Sequence, residues 1–123
     1  MSIQSQVTKN ALISPEFYKI GPLAEALRTP TGLVFIFAEW SGVATLGWKV
    51  LTSVLSELEK LPPIWVIDAD EFGPEMAVQL LNDLPQGKGE AYWLKNGKII
   101  AKQSSLGDAD RSRILANLNS LED

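Results

Sequence analysis

The chain has 123 residues, of which 46% are hydrophobic and 21% charged, and its net charge is −4. This length and composition fit one globular domain with its own core, and they exclude a disordered or fibrous protein. An acidic chain without a cluster of Lys and Arg gives no electrostatic footprint for nucleic acid or for an anionic membrane. We therefore expect neither of them as a partner.

The chain contains no cysteine and no histidine. Disulfides, thiolate nucleophiles, His-based catalysis and metal sites built on Cys or His are thereby excluded. We expect no cofactor and no metal. The N-terminal segment MSIQSQVTKNAL has no basic stretch followed by an apolar one, and the longest apolar runs are too short to cross a bilayer, so we expect a cytoplasmic location.

The first third of the chain mixes clear and weak signals. Ser14-Pro15-Glu16 is typical of a helix start, and we predict a helix from there to Arg28 with a break at Gly21-Pro22. An extra strand is expected somewhere in residues 3–13, a segment whose pattern is least informative. A turn at residues 29–32 leads to a continuous apolar run, residues 33–38, which predicts a strand buried on both faces of a sheet.

The middle of the chain predicts a parallel crossover unit. A helix follows the loop at residues 40–44, with apolar positions at helical spacing: Leu51, Val54, Leu55, Leu58 and Leu61. Pro62-Pro63 stops it, and residues 64–67 form a second buried strand that ends at Asp68. By the handedness rule for such units, this crossover is right-handed.

The last third predicts a helix, a hairpin and a closing helix. Pro74 begins a short helix with its inner face at Ala77, Leu80, Leu81 and Leu84. A Gly-rich loop follows, and Asn96-Gly97 between two apolar runs predicts a tight antiparallel hairpin. Asp108 is expected to cap a last helix buried through Ile114, Leu115, Leu118 and Leu121.

This element order, together with the run LVFIFAEWSGVA, resembles the thioredoxin family. In that family a buried strand ends in Ala-Glu-Trp, and a Cys-Gly-Pro-Cys turn follows. Ala38-Glu39-Trp40 and Gly42 match this pattern, whereas Ser41, Val43 and Ala44 replace Cys, Pro and Cys. The resemblance covers about residues 33 to 121. It implies a thioredoxin-like α/β fold over residues 1–123: a mixed sheet flanked by helices, with a parallel βαβ unit, an antiparallel hairpin and a C-terminal helix.

Further departures from the family pattern concern the residues around the turn. The resemblance places Phe35 where thioredoxins have a buried Asp, Ile64 where a neighbouring strand has the Lys that pairs with it, and Gly89 where a cis-Pro faces the turn. Dithiol exchange needs one thiolate to attack and a second thiol to resolve the mixed disulfide. The resemblance therefore implies a cysteine-less, redox-inactive member of the family.

Without redox chemistry, the resemblance implies that the same positions form a surface that binds an extended segment of another protein. It would consist of Trp40, Ser41, Gly42 and Val43 together with Leu84, Pro85, Gln86, Gly87 and Gly89. Glu39 and Glu90 are expected to flank it, either as solvated charges or as the frame of a groove that suits a basic or apolar partner. Trp40 has two interpretations of equal weight: an interface anchor, or a side chain that packs over the end of the sheet.

Three functions stay open on the sequence alone. The first is a protein-binding module without catalytic activity, such as an assembly chaperone or a complex subunit. The second is a non-redox enzyme that uses the Ser41 hydroxyl in thiol or peroxide chemistry. The third is a structural subunit whose interface lies elsewhere, on the edge strand or the first helix. The sequence names neither the partner nor the oligomeric state.

Two weaker motifs favour ordinary structure over chemistry. Residues 68–73 begin like a calcium loop, but Phe72 stands at the fifth position and Gln79 at the twelfth, where a Glu is required. Gly87-Lys88-Gly89 lacks the spacing of a phosphate loop and precedes a strand.

Overall fold

A five-stranded mixed sheet organises the chain, and the computed structural model describes residues 3–122. The strands are β1 (Lys19–Ile20), β2 (Gly32–Phe37), β3 (Ile64–Asp68), β4 (Glu90–Lys95) and β5 (Lys98–Gln103). The helices are α1 (Ile3–Asn10), α2 (Leu23–Ala26), α3 (Gly42–Leu55), α4 (Pro74–Leu81) and α5 (Arg111–Ser120), with short 3-10 turns at Pro15–Phe17 and Asp108–Asp110. The predicted single domain over residues 1–123 includes Met1, Ser2 and Asp123, which lie outside the described residues.

The strand order is β1-β3-β2-β4-β5. β2 pairs in parallel with β3 and antiparallel with β4, and β4 pairs antiparallel with β5. Every residue of β2 is buried, which confirms the prediction of a central strand covered on both faces. The hairpin is confirmed as well, since Asn96 and Gly97 have φ of 54° and 77°, the positive values that a tight two-residue turn requires.

Alternate residues of β2 enter two separate cores. Leu33, Phe35 and Phe37 pack with α1, α3 and α5, and Val34 and Ile36 pack with α2 and α4. Within the first core Phe35 lies 5.3 Å from Trp48, centroid to centroid. Trp48 in turn donates its indole N–H to the Val7 carbonyl at 2.9 Å, which ties α1 to α3.

The N-terminal predictions are wrong in two places. Residues 3–13 contain the helix α1 instead of a strand, because Val7 is fully buried against the core and its carbonyl binds Trp48. The predicted helix from Ser14 to Arg28 is instead a 3-10 turn, the strand β1 and the short helix α2. β1 exists because Lys19 and Ile20 pair with β3, a long-range contact that no local pattern reveals.

Helix ends also differ from expectation. α3 ends at Leu55, where i→i+3 bonds close the last turn, so Leu58 and Leu61 pack on the core from a loop. α4 ends before Asn82, whose φ is 52°, and Leu84 is therefore exposed.

The closing helix departs from its prediction in two details. Asp108 lies in the 3-10 turn and Asp110 precedes the helix, accepting a hydrogen bond from Gly107 N, so the predicted Asp108 cap is wrong. Ile114, Leu118 and Leu121 are buried, whereas Leu115 faces outward, one residue round the helix from that stripe. Within residues 3–122, no helix has the length and apolar character that crossing a membrane requires.

Candidate functional site

Three connecting segments meet at one end of the sheet, and we call them together the loop face: residues 38–43, 69–73 and 84–89. β2 and β3 are parallel and therefore end on the same side, and β4 begins there because Glu90 pairs with Ile36. The topology thus gathers every residue of the predicted binding surface at this end.

Trp40 is the centre of the loop face. Its side chain is 65% exposed, yet its indole Nε1 donates to Asp70 Oδ1 at 3.3 Å. The ring also lies against Gly87: a Cβ added there would stand 2.4 Å from Trp40 Cη2. The ring packs across the loops and still presents most of its surface to solvent, so its role as an interface anchor stays a prediction.

Ser41 has a structural role that the sequence analysis missed. Its Oγ accepts a hydrogen bond from Ala44 N at 3.2 Å, which makes Ser41 the N-cap of α3. A Ser directly before a helical pattern is the signal that would have found it. Within residues 3–122 the hydroxyl makes no hydrogen bond to a carboxylate or an amine that could take its proton.

The interior beneath the turn is apolar. Phe35 is fully buried, and the register pairs it with Val66, whereas Ile64 pairs with Leu33. Ile64 therefore lies two residues along β3 from the direct cross-strand neighbour of Phe35. Val66 is equally apolar and fully buried, so this strand pair carries no charge at that point.

Gly89 faces the turn as the resemblance implied, but with a different backbone. Its φ is +77°, a value closed to proline, and residues 3–122 contain no cis peptide bond. A Cβ on Gly89 would lie 2.9 Å from Ala44 Cα and 3.1 Å from Phe35 Cζ. The chain approaches the start of α3 so closely that only glycine fits without a shift.

Glu90 does not flank the surface as a solvated charge. It is 1% exposed, and its Oε2 accepts hydrogen bonds from Gln86 N at 2.8 Å and Lys88 N at 3.3 Å. Its Oε1 has no hydrogen-bond partner among the described residues. Glu90 thus holds the 84–89 segment in place from beneath, whereas Glu39 is exposed beside Trp40. No sequence signal predicted this burial, because Glu is seldom found fully buried.

The exposed apolar residues extend beyond the predicted set. Val43 is 48% exposed, and Leu46, one turn further along α3, is 53% exposed. Val43 and Leu46 lie three residues apart on α3 and form a short apolar stripe on its exposed side, and Trp40 precedes the helix start. The signal that would have found Leu46 is its position on α3 outside the set of apolar residues predicted to be buried.

A cavity of about 290 Å³ lies between the start of α4 and the 84–86 segment. It is lined by Ala69, Phe72, Gly73, Pro74, Ala77, Leu84, Pro85 and Gln86. The last three belong to the predicted binding surface. A larger cavity, of about 700 Å³, lies at the opposite end of the sheet beside Pro63 and Leu121, and it includes none of the predicted residues.

Two polar groups near the loop face serve structure. Asp68 Oδ1 accepts a hydrogen bond from Asp70 N at 2.9 Å, which closes a local turn at the end of β3. Asp83 is held by an ion pair with Lys102 and by the Tyr92 hydroxyl, which donates to it at 2.6 Å. The Lys102 and Tyr92 hydrogen bonds lower the pKa of Asp83, and burial raises the pKa of Tyr92 well above its usual range.

Comparison with solved structures identifies the fold. A thioredoxin variant from Halobacterium salinarum has a TM-score of 0.65 at 14% identity and covers 92% of this chain and 97% of its own. Thioredoxin from Plasmodium falciparum has a TM-score of 0.60 at 22% identity, over 80% and 97% of the two chains. Trxlp from Edwardsiella tarda has a TM-score of 0.57 at 14% identity, over 86% and 99%.

The chain therefore has the thioredoxin fold, as the resemblance implied, and it has that fold without any cysteine. Thiol exchange is not available to it. Neither the protein-family models nor the curated protein sequences give a match.

Proposed function

We propose that the protein is a non-catalytic binding module of the cytoplasm, an assembly chaperone or complex subunit, which holds a partner protein at the loop face. One observation carries the proposal: Trp40 is held by Asp70 and Gly87 and is still 65% exposed. An aromatic ring that is fixed before binding loses little conformational entropy when a partner covers it. Aromatic side chains of this kind are frequent anchors in protein interfaces.

The neighbouring stripe supports the same function. Val43 and Leu46 expose apolar surface one turn apart at the start of α3, just after the exposed Trp40, although apolar positions of α3 elsewhere are buried. Contiguous exposed apolar surface marks interaction sites in soluble proteins. The capping bond of Ser41 argues against a nucleophile, since its oxygen is engaged with the helix and no base among residues 3–122 forms a hydrogen bond with it.

The experiment is a quantitative pull-down from lysate with matched variants. Trp40→Ala and Val43→Asp change the loop face. Phe17→Ala is the control, because Phe17 is 48% exposed and precedes β1, which starts at the opposite end of the parallel strands. We expect a partner that the wild type and Phe17→Ala retain and that the two loop-face variants lose at least tenfold. Unfolding curves establish that each variant is folded.

Two outcomes would contradict the proposal. Partners that all four proteins retain equally would move the interface away from the loop face. Turnover of a thiol or peroxide substrate that disappears in Ser41→Ala, with the fold intact, would make the protein an enzyme.

A further inference from the structure

The 290 Å³ cavity is a concave part of the loop face, and Leu84, Pro85 and Gln86 of the predicted binding surface belong to its lining. Phe72 and Ala77 supply apolar walls from the α4 side, and Leu84 and Pro85 supply them from the other. Binding sites for small ligands usually span about 300–1,000 Å³. This cavity lies just below that range, and its size suits a single large side chain better than a separate small molecule.

Three exposed carboxylates, which we call the acidic rim, flank in the chain the residues that line the cavity. Asp70 and Glu71 precede Phe72 in the chain, Glu75 follows Pro74, and all three are exposed. None of them forms an ion pair with a basic side chain within residues 3–122. On the facing segment Lys88 is the exposed basic residue. The rim therefore has an excess of negative charge without basic ion-pair partners in the described part of the chain.

Trp40 connects the cavity to the apolar stripe. It touches both sides, through the bond to Asp70 on the rim and through the contact with Gly87 on the 84–89 segment. A peptide lying along Trp40 would thus have apolar surface under it and carboxylates beside it.

We infer that the cavity receives one large aliphatic or aromatic side chain of an extended partner segment, and that the acidic rim selects Lys or Arg next to that side chain. This inference rests on the proposed function and specifies the partner. Apolar anchoring holds the segment, and opposite charge fixes which segments are accepted and how fast they associate. Because the rim is exposed to solvent, its contribution weakens as salt is raised.

Selection from a random twelve-residue peptide display library, with the immobilised full chain as bait, provides the probe. Enriched peptides are synthesised, and their Kd is measured by fluorescence anisotropy at low and high salt. We expect enriched sequences that place Lys or Arg beside Leu, Ile, Phe or Trp, with Kd rising at least threefold between the two salt concentrations.

Two variants test the rim and the cavity separately. Glu71→Lys reverses one rim charge, and Glu59→Lys is its control, since Glu59 is exposed and lines the large cavity at the opposite end. Gly73→Leu adds a side chain at the small cavity, where a Cβ meets no atom within 4 Å and φ is −89°, so the fold can accept it. We expect about a tenfold rise in Kd with Glu71→Lys and with Gly73→Leu, and no change with Glu59→Lys.

The outcomes separate this inference from the function on which it rests. Peptides that require Trp40 but are neutral or acidic, or that bind Gly73→Leu as tightly as wild type, would overturn the inference and leave the binding module standing. If no selected peptide distinguishes wild type from Trp40→Ala, the inference and the proposed function both fail.

Discussion

Three glycines with the same backbone conformation provide a graded test of how tightly the loop face is built. Gly87, Gly89 and Gly97 have φ of +75°, +77° and +77°, but the space around them differs. At Gly97 a Cβ meets no atom within 4 Å. At Gly87 it meets the exposed Trp40 ring, and at Gly89 it meets the backbone of Ala44 at 2.9 Å.

Alanine at each position should therefore have a different cost. Gly97→Ala measures only the cost of placing a Cβ on a left-handed backbone, and it should lower the unfolding free energy by about 1–2 kcal/mol. Gly87→Ala should cost a similar amount, because the exposed indole can turn away, but it should break the bond to Asp70. Gly89→Ala adds overpacking against a rigid backbone, about 1–3 kcal/mol more, for a total of about 2–5 kcal/mol.

Urea unfolding followed by far-UV circular dichroism measures these free energies without relying on tryptophan emission. Emission spectra of the folded proteins then report whether Trp40 has moved, and we expect a shift in Gly87→Ala only. A Gly89→Ala variant no less stable than Gly97→Ala would refute the claim that the approach to Ala44 demands glycine.

Two further predictions concern buried polar groups. Glu90→Ala leaves the N–H groups of Gln86 and Lys88 without their acceptor and should lower the unfolding free energy by about 2 kcal/mol or more. Glu39→Ala is the control, because Glu39 is exposed, and it should change the unfolding free energy by less than about 0.5 kcal/mol. Equal effects in urea titrations would show that Glu90 does not hold the 84–89 segment. The pKa of Tyr92 is raised in the folded state, so above about pH 10 the folded protein keeps the Tyr92 proton while the unfolded chain loses it. The stability that Tyr92 contributes is therefore present below about pH 10 and is lost as the pH rises above that value. Unfolding free energies measured from pH 8 to 11 should fall less steeply for Tyr92→Phe than for wild type, and equal slopes would show that Tyr92 contributes none of this pH dependence.

The parts of the fold that could be predicted are those in which a local pattern and a tertiary role coincide. β2 and β3 are unbroken apolar runs because both faces of the sheet are covered, and Asn96-Gly97 has the positive φ values that its residue types favour. β1 could not be predicted, since two residues become a strand only by pairing with Trp65 and Val66. α1 likewise depends on Trp48, which lies 41 residues away from Val7 in sequence.

The candidate site divides in the same way. The resemblance to thioredoxins placed the three segments at one end of the sheet, and the topology agrees, because loops at the ends of parallel strands must meet. It could not predict the hydrogen bond from Trp40 to Asp70 or the buried carboxylate of Glu90, since both depend on how the loops fold over one another. The register of β3 was equally beyond the sequence, because it is set by pairing with β2, which places Phe35 beside Val66 and Leu33 beside Ile64.

The absence of thiol chemistry has a consequence for how mutations should act. Positions that would serve catalysis in a thioredoxin have structural roles in this chain: Phe35 packs on Trp48, Ser41 caps α3, and Ala44 is fully buried against Gly89. The residues proposed to bind, Trp40, Val43 and Leu46, are the exposed ones. Because the two sets hardly overlap, substitutions in the first should lower stability, and substitutions in the second should lower affinity at nearly constant stability. A redox-active protein of the same fold could not separate the two sets so cleanly, since its reactive residues must be both exposed to the substrate and held in place by the core.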